Sequence, residues 1–340
     1  MITSRQFFGT TALSFALLPL FVTQGLAAPK VVASIKPVHS LVAAVMQGVA
    51  EPELIVQGAA SPHSYALKPS QAQALSDADL IFWMGHELET FLEKPIETIG
   101  GDARAVELID TPGLTTLPFR EGGAFEQHQH EDHHAEHAEG EAHAHAETET
   151  HEDHADGHDH ENEHKHGAFD PHLWLDPVNA KVMVGAISEA LSKADPENAA
   201  TYASNAEQET EKLDALISDV NATLAPVHGK PFIVFHDAYQ YFEARFEMTA
   251  AGSITVNPEL KPSAERMSEI RDKVQELDAA CAFSEPQFNA DLVSVAIEGS
   301  NARLAVLDPL GANLEDGPEL YFDLIRGLAT SMKQCLETSN

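Results

Sequence analysis

The chain has 340 residues, with 54 acidic side chains against 20 basic ones and a formal net charge of −34 at pH 7. A charge of this sign repels nucleic acids and anionic lipid surfaces, and it attracts cations. The apolar fraction of 43% is ordinary, so the chain can bury hydrophobic cores, and its length suggests two domains.

The N-terminus predicts export. Arg5 is followed by the apolar run Leu13–Val22 and then by small residues that end at Ala28. This order is typical of a signal peptide, and the run is shorter than the roughly 20 residues that span a bilayer. We expect residues 1–28 to be cleaved and the mature, soluble chain to lie in the periplasm. An uncleaved anchor is the alternative.

The first half of the mature chain alternates between strand and helix patterns. Strands are predicted at residues 31–35, 53–57, 80–84 and 104–108, and helices at residues 39–49, 71–78 and 88–99. Such alternation predicts a parallel sheet covered by helices on both faces, here forming an N-terminal α/β lobe over residues 29–194.

Residues 121–167 interrupt this lobe with a tract of histidine, aspartate and glutamate. It holds 15 acidic residues, 13 histidines and a single lysine. A segment with so few apolar residues cannot offset its ordering entropy by burial, so we predict a disordered insertion.

Two helices are predicted after the insertion, at residues 178–193 and 196–224. Asp195 and Pro196 look like an N-cap followed by proline at the first helical position. The second helix would be roughly 40 Å long, which suits a connector between two lobes. We assign residues 195–228 to this connecting helix.

The second half repeats the alternation and predicts a C-terminal α/β lobe over residues 229–340. Strands are expected at residues 231–235, 281–283 and 304–307, and helices at residues 237–246, 263–277, 291–298 and 320–336. The two cysteines, Cys281 and Cys335, would join a strand to the last helix. In an oxidising compartment such a pair favours a disulfide, and thiolate metal ligands are the alternative.

Four side chains outside the insertion predict a metal site. His63 follows the second strand, His236 and Asp308 each end a strand, and His172 lies in a loop that can reach them. Ligands of open α/β sheets bind outside the carboxyl ends of the strands. His86, which follows the third strand, can approach the same place.

The donor set favours zinc. Three neutral imidazoles with one carboxylate or water make a four-coordinate zinc site, whereas manganese prefers carboxylates and water. Uptake of manganese or iron is therefore a less favoured interpretation of the same site. A zinc hydrolase is a further alternative, because catalytic zinc also takes three protein ligands and a water. A periplasmic protein that buffers metal without serving a transporter is another alternative.

Six segments carry a resemblance to a known family. They are residues 58–70, His172–Leu175, Val234–Tyr239, Thr255–Glu259, Ser284–Phe288 and Leu307–Gly311. With them, the chain resembles the cluster A-I solute-binding proteins of ABC transporters, and among these the zinc-specific ZnuA-type members. The resemblance runs from about Val31 to Leu336, and the histidine-rich insertion also stands where that family carries one.

The resemblance implies an α/β fold with two lobes of parallel sheet, one long connecting helix and a metal site in the cleft between the lobes. His63, His172 and His236 match the family's histidine ligands. Asp308 matches the acidic fourth position, which water or another acidic group fills in some zinc-specific members. The Cys281–Cys335 pair matches a disulfide of the family.

The implied function is zinc capture and delivery rather than catalysis. The implied partners are an inner-membrane permease and its cytoplasmic ATPase, and we expect a monomer that is not embedded in the membrane and binds no nucleic acid. The histidines of the insertion predict an auxiliary, low-affinity zinc collector. They are His128, His130, His133, His134, His137, His143, His145, His151, His154, His158, His160, His164 and His166.

Overall fold

The computed structural model of the chain describes residues 28–120, 125, 169–255 and 257–337. The predicted signal peptide lies outside the described residues except for Ala28, and the insertion lies outside them except for Phe125. Among the described residues, no helix is both long enough and apolar enough to cross a membrane.

The first half forms a four-stranded parallel sheet, as predicted. Its strands are β1 (Val31–Ala33), β2 (Glu53–Leu54), β3 (Leu80–Trp83) and β4 (Arg104–Glu107). They lie in the order β2-β1-β3-β4, and every neighbouring pair is parallel. The helices of this half are α1 (Lys36–Val45), α2 (Pro69–Asp77), α3 (Thr90–Ile99) and α4 (Pro177–Ala194).

A 26-residue helix, α5 (Ala199–Leu224), follows α4 and continues into a 3-10 turn at Ala225–Val227. At 1.5 Å per residue it is about 39 Å long. The predicted start at Pro196 is wrong. Asp195 closes α4 instead, and its carboxylate accepts hydrogen bonds from Asn198 Nδ2 at 2.7 Å and Tyr202 Oη at 2.9 Å.

The second half repeats the same sheet order. Its strands are β5 (Phe232–His236), β6 (Gly252–Thr255), β7 (Cys281–Ser284) and β8 (Arg303–Val306), arranged β6-β5-β7-β8 and all parallel. Its helices are α6 (Gln240–Arg245), α7 (Ala264–Glu276), α8 (Asp291–Ala296) and α9 (Leu320–Glu337). The sequence pattern missed β6, because Ile254 is its only large aliphatic residue.

Both faces of the central strand β5 are buried. Phe232 and Val234 of β5 pack into a large apolar cluster that also holds Leu41 of the first half and Leu213 of the long helix α5. Ile233 and Phe235 point the other way, into a smaller cluster built with α7 and α8. Two buried faces are typical of a parallel sheet, and the large cluster gives the two lobes a shared core.

The helix α5 contacts both halves. It packs on α1 and α4 of the first half and on α9, which follows the second sheet. These contacts confirm the predicted architecture of two lobes and one long helix.

The two cysteines form the predicted disulfide. Cys281 begins β7, Cys335 lies in the last turn of α9, and the residues are 54 positions apart in sequence. The bond ties α9 to the amino end of β7, and the carboxyl end of β7 points towards the cleft.

Glu89, at the turn after β3, is a fully buried carboxylate. Its Oε2 accepts hydrogen bonds from the backbone amides of Met84 at 2.8 Å and Gly85 at 3.2 Å. Burial raises the pKa of Glu89 to about 7, because its effect on the pKa is larger than that of these hydrogen bonds, which lower it.

The pKa of Glu89 predicts a pH-dependent change in stability. Its folded-state pKa lies above the ordinary 4.5, so the ionised carboxylate destabilises the folded protein. This destabilisation is at its full value above pH 7 and disappears as the pH falls towards 4.5. Glu89→Gln keeps an acceptor oxygen and removes the charge. We expect it to raise the free energy of unfolding by up to about 3 kcal/mol near pH 8 and by little near pH 4.5. Denaturant unfolding at both pH values measures this, and an equal difference at both would contradict it.

Candidate metal centre

Three histidines from separate stretches of chain meet between the two sheets. His63 lies in the loop after β2, His172 directly precedes the 3-10 turn Leu173–Leu175, and His236 is the last residue of β5. Their ring centroids are 5.5 Å (His63–His172), 5.7 Å (His63–His236) and 5.2 Å (His172–His236) apart. Their ligand atoms all lie within 4.8 Å of one another. The predicted convergence of these side chains is therefore present in the fold.

Sheet topology explains why His236 lies here. The strand order of the second sheet reverses between the neighbouring strands β5 and β7. Ligand sites of open α/β sheets form at such a point. His236 ends β5, and Glu285 immediately follows β7. The two side chains consequently meet at the carboxyl edge that faces the first lobe.

Two buried carboxylates orient two of the rings. His172 Nδ1 lies 2.6 Å from Asp170 Oδ1, and His236 Nδ1 lies 2.7 Å from Glu285 Oε1. Ionised carboxylates only accept hydrogen bonds, so each neutral ring carries its proton on Nδ1 and turns its Nε2 lone pair inwards. The two Nε2 atoms are 3.3 Å apart. This carboxylate–histidine pairing is the support that metal-binding histidines ordinarily have.

The space between the rings is small. It has a volume of about 10 Å³, which holds roughly one water or one ion. Trp174, Phe288, Pro309 and Leu310 line it with largely apolar surface. Such a lining keeps bulk water away and strengthens the electrostatic interactions of a bound cation.

The pKa values of His63 and His236 are shifted in opposite directions. Burial lowers the pKa of His63 well below its ordinary 6.5, and the neighbouring His172 and His236 lower it further. Burial would also lower the pKa of His236, but the Glu285 carboxylate outweighs it, and the net pKa is raised. His63 is thus ready to act as a neutral ligand, whereas His236 must release a proton more often.

The loop that carries His172 belongs to the first lobe and is held by side chains and a carbonyl of the second lobe. Gln240 Nε2 donates to Asp170 Oδ2 at 2.8 Å, and Tyr241 Oη donates to the carbonyl of Asp170 at 2.8 Å. Trp174 Nε1 donates to the carbonyl of Pro309 at 2.9 Å, and Tyr321 Oη donates to that of Trp174 at 2.6 Å. These bonds fix the position of the ring before any ligand arrives.

One hydrogen bond bridges the mouth of the cleft. Ser61 Oγ, two residues before His63, donates to Glu259 Oε1 at 2.8 Å and accepts from the His63 amide at 3.2 Å. Outside it lies a chamber of about 370 Å³ whose lining includes His63, His172, Glu87 and Asp237. A cation can therefore reach the histidines through an acidic vestibule.

Asp308 is not part of the three-histidine group. Its Oδ1 accepts from the amides of Leu310 and Gly311 at 3.1 and 3.0 Å and from Gln287 Nε2 at 3.0 Å, while Oδ2 accepts from the Ala312 amide at 2.6 Å. In this arrangement its carboxylate shapes the loop that supplies Pro309 and Leu310 to the cavity.

Sequence reasoning missed the two supporting carboxylates, Asp170 and Glu285. Asp170 lies two residues before His172. Glu285 lies two residues after the strand predicted at residues 281–283, and this position is the signal that would have drawn attention to it. Glu285 Oε2 is buried and has no hydrogen-bond partner among the described residues. His86 does not join the three histidines but belongs to a second group of donors with Glu87 and Glu107.

The described residues that flank the insertion lie beside the cleft. Arg120 pairs with both Asp237 and Glu243 of the second lobe, and Phe125 lies against its guanidinium at 4.2 Å. The Asp170 amide, two residues from the predicted site at His172, donates to the carbonyl of Leu117 at 3.0 Å. The thirteen histidines of the insertion themselves lie outside the described residues.

Comparison with known proteins agrees with this geometry. The family described as zinc-uptake complex component A, periplasmic (ZnuA) matches residues 31–335. The high-affinity zinc uptake system protein ZnuA of Brucella abortus is 58% identical over 306 residues, which cover 90% of this chain and 91% of that protein. The protein of the same name from Paracoccus denitrificans is 42% identical over 309 residues, covering 91% and 92%.

Solved structures share the fold. The periplasmic zinc-binding protein TroA from Treponema pallidum superposes with a TM-score of 0.71 at 19% identity, covering 91% of this chain and 99% of that one. A structure of ZnuA superposes with a TM-score of 0.69 at 21% identity, covering 90% and 98%. The matched family consists of uptake components rather than enzymes, which confirms the prediction that the chain is not an enzyme. The chain belongs to the family of periplasmic zinc-uptake complex component A proteins.

Proposed function

We propose that the chain captures Zn²⁺ in the periplasm with His63, His172 and His236 and delivers it to an ABC-type zinc importer. One observation carries the choice of ligands. The Nε2 atoms of His172 and His236 are 3.3 Å apart with both Nδ1 positions turned to carboxylates. A tetrahedral zinc ion with Zn–N bonds of 2.0–2.1 Å separates its ligand atoms by about 3.3–3.4 Å. His63, on the loop after β2, completes the site by a small movement inwards.

The donors support zinc over manganese or iron. The converging atoms are imidazole nitrogens, which suit zinc, while the carboxylates of Asp170 and Glu285 are engaged as hydrogen-bond acceptors of those rings. The relatives that cover the chain are also named for zinc uptake.

The fourth ligand is Asp308, a water or another acidic group. Asp308 would have to exchange its present hydrogen bonds for the metal. Glu285 is the acidic alternative that the fold offers, because its Oε2 is buried, without a partner among the described residues, and at the lining of the cavity.

The family and the N-terminal pattern support an exported protein with a cleavable signal peptide, residues 1–28. The partners would be an inner-membrane permease and its ATPase, and the protein would work as a monomer. We divide the mature chain into lobes at residues 29–194 and 229–340 with a connector at 195–228. The shared core and the Arg120 contacts across the lobes support small movements of loops on metal release rather than a wide hinge opening.

We propose that the histidines of the insertion collect zinc weakly and raise its concentration near the cleft. Short-range histidine pairs chelate without needing a fold, and the described residues on both sides of the insertion, Arg120 and Asp170, lie beside the centre. A variant lacking residues 121–167 is expected to keep one tightly bound zinc ion and to lose only weakly bound ones. Native mass spectrometry at increasing zinc concentration counts both classes.

The intact chain measured in parallel is the control for that deletion. Loss of the tight ion together with the insertion would contradict the assignment to the cleft. An unchanged number of weakly bound ions would contradict the collecting role of the insertion.

Zinc affinity should depend on pH in a defined direction. Because Glu285 raises the pKa of His236, a proton competes with zinc there, and affinity is highest above that pKa and falls as the pH drops through it. We expect affinity to begin falling above pH 6.5 and to drop roughly tenfold per pH unit where one proton must leave. Chelator competition between about pH 7.5 and 5.5 measures this, and a flat affinity would contradict histidine ligation.

A further inference from the structure

A second group of metal donors lies at the rim of the first lobe. His86 Nδ1 is 3.1 Å from Glu107 Oε1, and His86 Nε2 is 3.2 Å from Glu87 Oε1. The side chain of His86 is 28% exposed, that of Glu107 is 26% exposed and that of Glu87 is 12% exposed. They are thus accessible to an ion from solvent, yet more confined than ordinary surface carboxylates.

The backbone builds this group. Glu107 ends β4, and its partner in the parallel ladder is Trp83, the last residue of β3. His86 follows three residues later, so the donors lie at the carboxyl ends of two adjacent strands. Glu89 holds the turn between them through the amides of Met84 and Gly85.

Gly85 permits the close approach of Glu107. Its φ is +148°, and a Cβ added there would lie only 2.7 Å from Glu107 Oε1. The same carboxylate oxygen also accepts the His86 amide at 3.1 Å. The chain therefore uses a residue without a side chain to bring this carboxylate against the imidazole.

The spacing of these donors suits a shared cation. A neutral imidazole offers one ring nitrogen as a metal ligand and keeps an N–H on the other. Both ring nitrogens face carboxylates at 3.1–3.2 Å. This separation is close to the roughly 3.3 Å between two ligand atoms of a tetrahedral zinc ion with bonds of 2.0–2.1 Å. With a cation bound at one nitrogen, the opposite N–H donates to the remaining carboxylate in the way that supports metal-bound histidines.

We propose that His86, Glu87 and Glu107 form a second, weaker zinc site at the rim of the cleft. A His86 ring nitrogen and one carboxylate bind the ion, the second carboxylate orients the ring, and water fills the remaining positions. Glu87 also lines the chamber of about 370 Å³ that reaches His63 and His172. The rim site would hold cations beside the entrance to the centre. This inference rests on the proposed zinc function.

Anomalous diffraction from crystals of the intact mature chain tests the proposal. Crystals are soaked in zinc in excess over all histidines, and data are collected on both sides of the zinc absorption edge. The expected result is one peak among the three histidines and a second peak within about 2.0–2.2 Å of a His86 ring nitrogen and a Glu87 or Glu107 oxygen.

Matched variants separate the rim from the centre. His86→Gln and Glu87→Gln should abolish the rim peak and leave the central peak, which also shows that each variant is folded. His228→Gln is the control, because His228 faces only one carboxylate, that of Glu247 at 4.0 Å, in the part of the chain described. It should leave both peaks unchanged.

The outcomes distinguish the two proposals. A central peak without a rim peak would overturn the rim site and leave the proposed function standing. Absence of the central peak would overturn the proposed function itself. A rim peak that persists in both His86→Gln and Glu87→Gln would show that these side chains do not hold the ion.

Discussion

The His236→Ala variant is expected to bind zinc in the cleft at least about 100-fold more weakly than the unchanged chain. His236 supplies one of three converging nitrogens, and changes to supporting groups alone typically cost 10–100-fold in metal affinity. The same substitution also removes the imidazole partner of Glu285, a buried carboxylate whose Oε1 lies 2.7 Å from His236 Nδ1. A buried acceptor left without its partner costs about 1–3 kcal/mol, so the zinc-free variant should also be less stable.

His63→Ala provides the matched comparison. The ring of His63 makes no hydrogen bond to the described residues, so its loss leaves no buried carboxylate behind. We expect the same weakening of zinc binding with a smaller change in the stability of the zinc-free protein. Competition with a chelator gives the affinities, and denaturant unfolding gives the stabilities. Unchanged zinc affinity in either variant, with folding intact, would remove that histidine from the site.

Loss of the Cys281–Cys335 disulfide is expected to lower the free energy of unfolding by about 2–4 kcal/mol. The bond closes a loop across 54 residues, and the chain-entropy model gives about 4 kcal/mol for a loop of that size. The Cys281→Ser, Cys335→Ser double variant should therefore unfold at a lower denaturant concentration.

Zinc affinity should be unchanged in the same variant. Cys281 lies at the amino end of β7, whereas Glu285 follows the carboxyl end that faces the cleft. Chemical reduction of the unchanged chain is the control and should reproduce the variant's midpoint. Equal stability of the oxidised chain and the double variant would contradict a stabilising role for the bond.

The fold was largely predictable from the sequence because its central strands are buried on both faces. Continuous apolar runs such as Leu80–Trp83 and Phe232–Phe235 stand out between polar helices, and all eight positions are buried. The strand β6 was not predictable, because Gly252 and Ser253 have no strand preference of their own and acquire the structure by pairing with β5. The start of α5 was predicted too early because Asp195 and Pro196 are the residue types that commonly stand at the N-cap and first position of a helix.

The convergence of the three histidines was predictable, but the pairing of His172 and His236 with particular carboxylates was not. His63 and His236 follow or end predicted strands and His172 lies in a loop that can reach them, so the sequence alone suggested that the three side chains meet. The pairing of His236 with Glu285 joins positions 49 residues apart, and only the adjacency of β5 and β7 brings them together. The role of Asp308 likewise depends on the path of the loop to Ala312, which no spacing in the sequence reveals.

The central claim is that imidazoles of both halves of the chain share a single zinc ion. Long-range proton–nitrogen NMR of the histidine-labelled intact chain observes it directly, with the rings of His63, His172 and His236 assigned from their alanine variants. The first equivalent of zinc should shift the Nε2 signals of these three rings together, before any signal of the insertion moves. A first equivalent that shifts only the histidines of residues 121–167 would contradict the account.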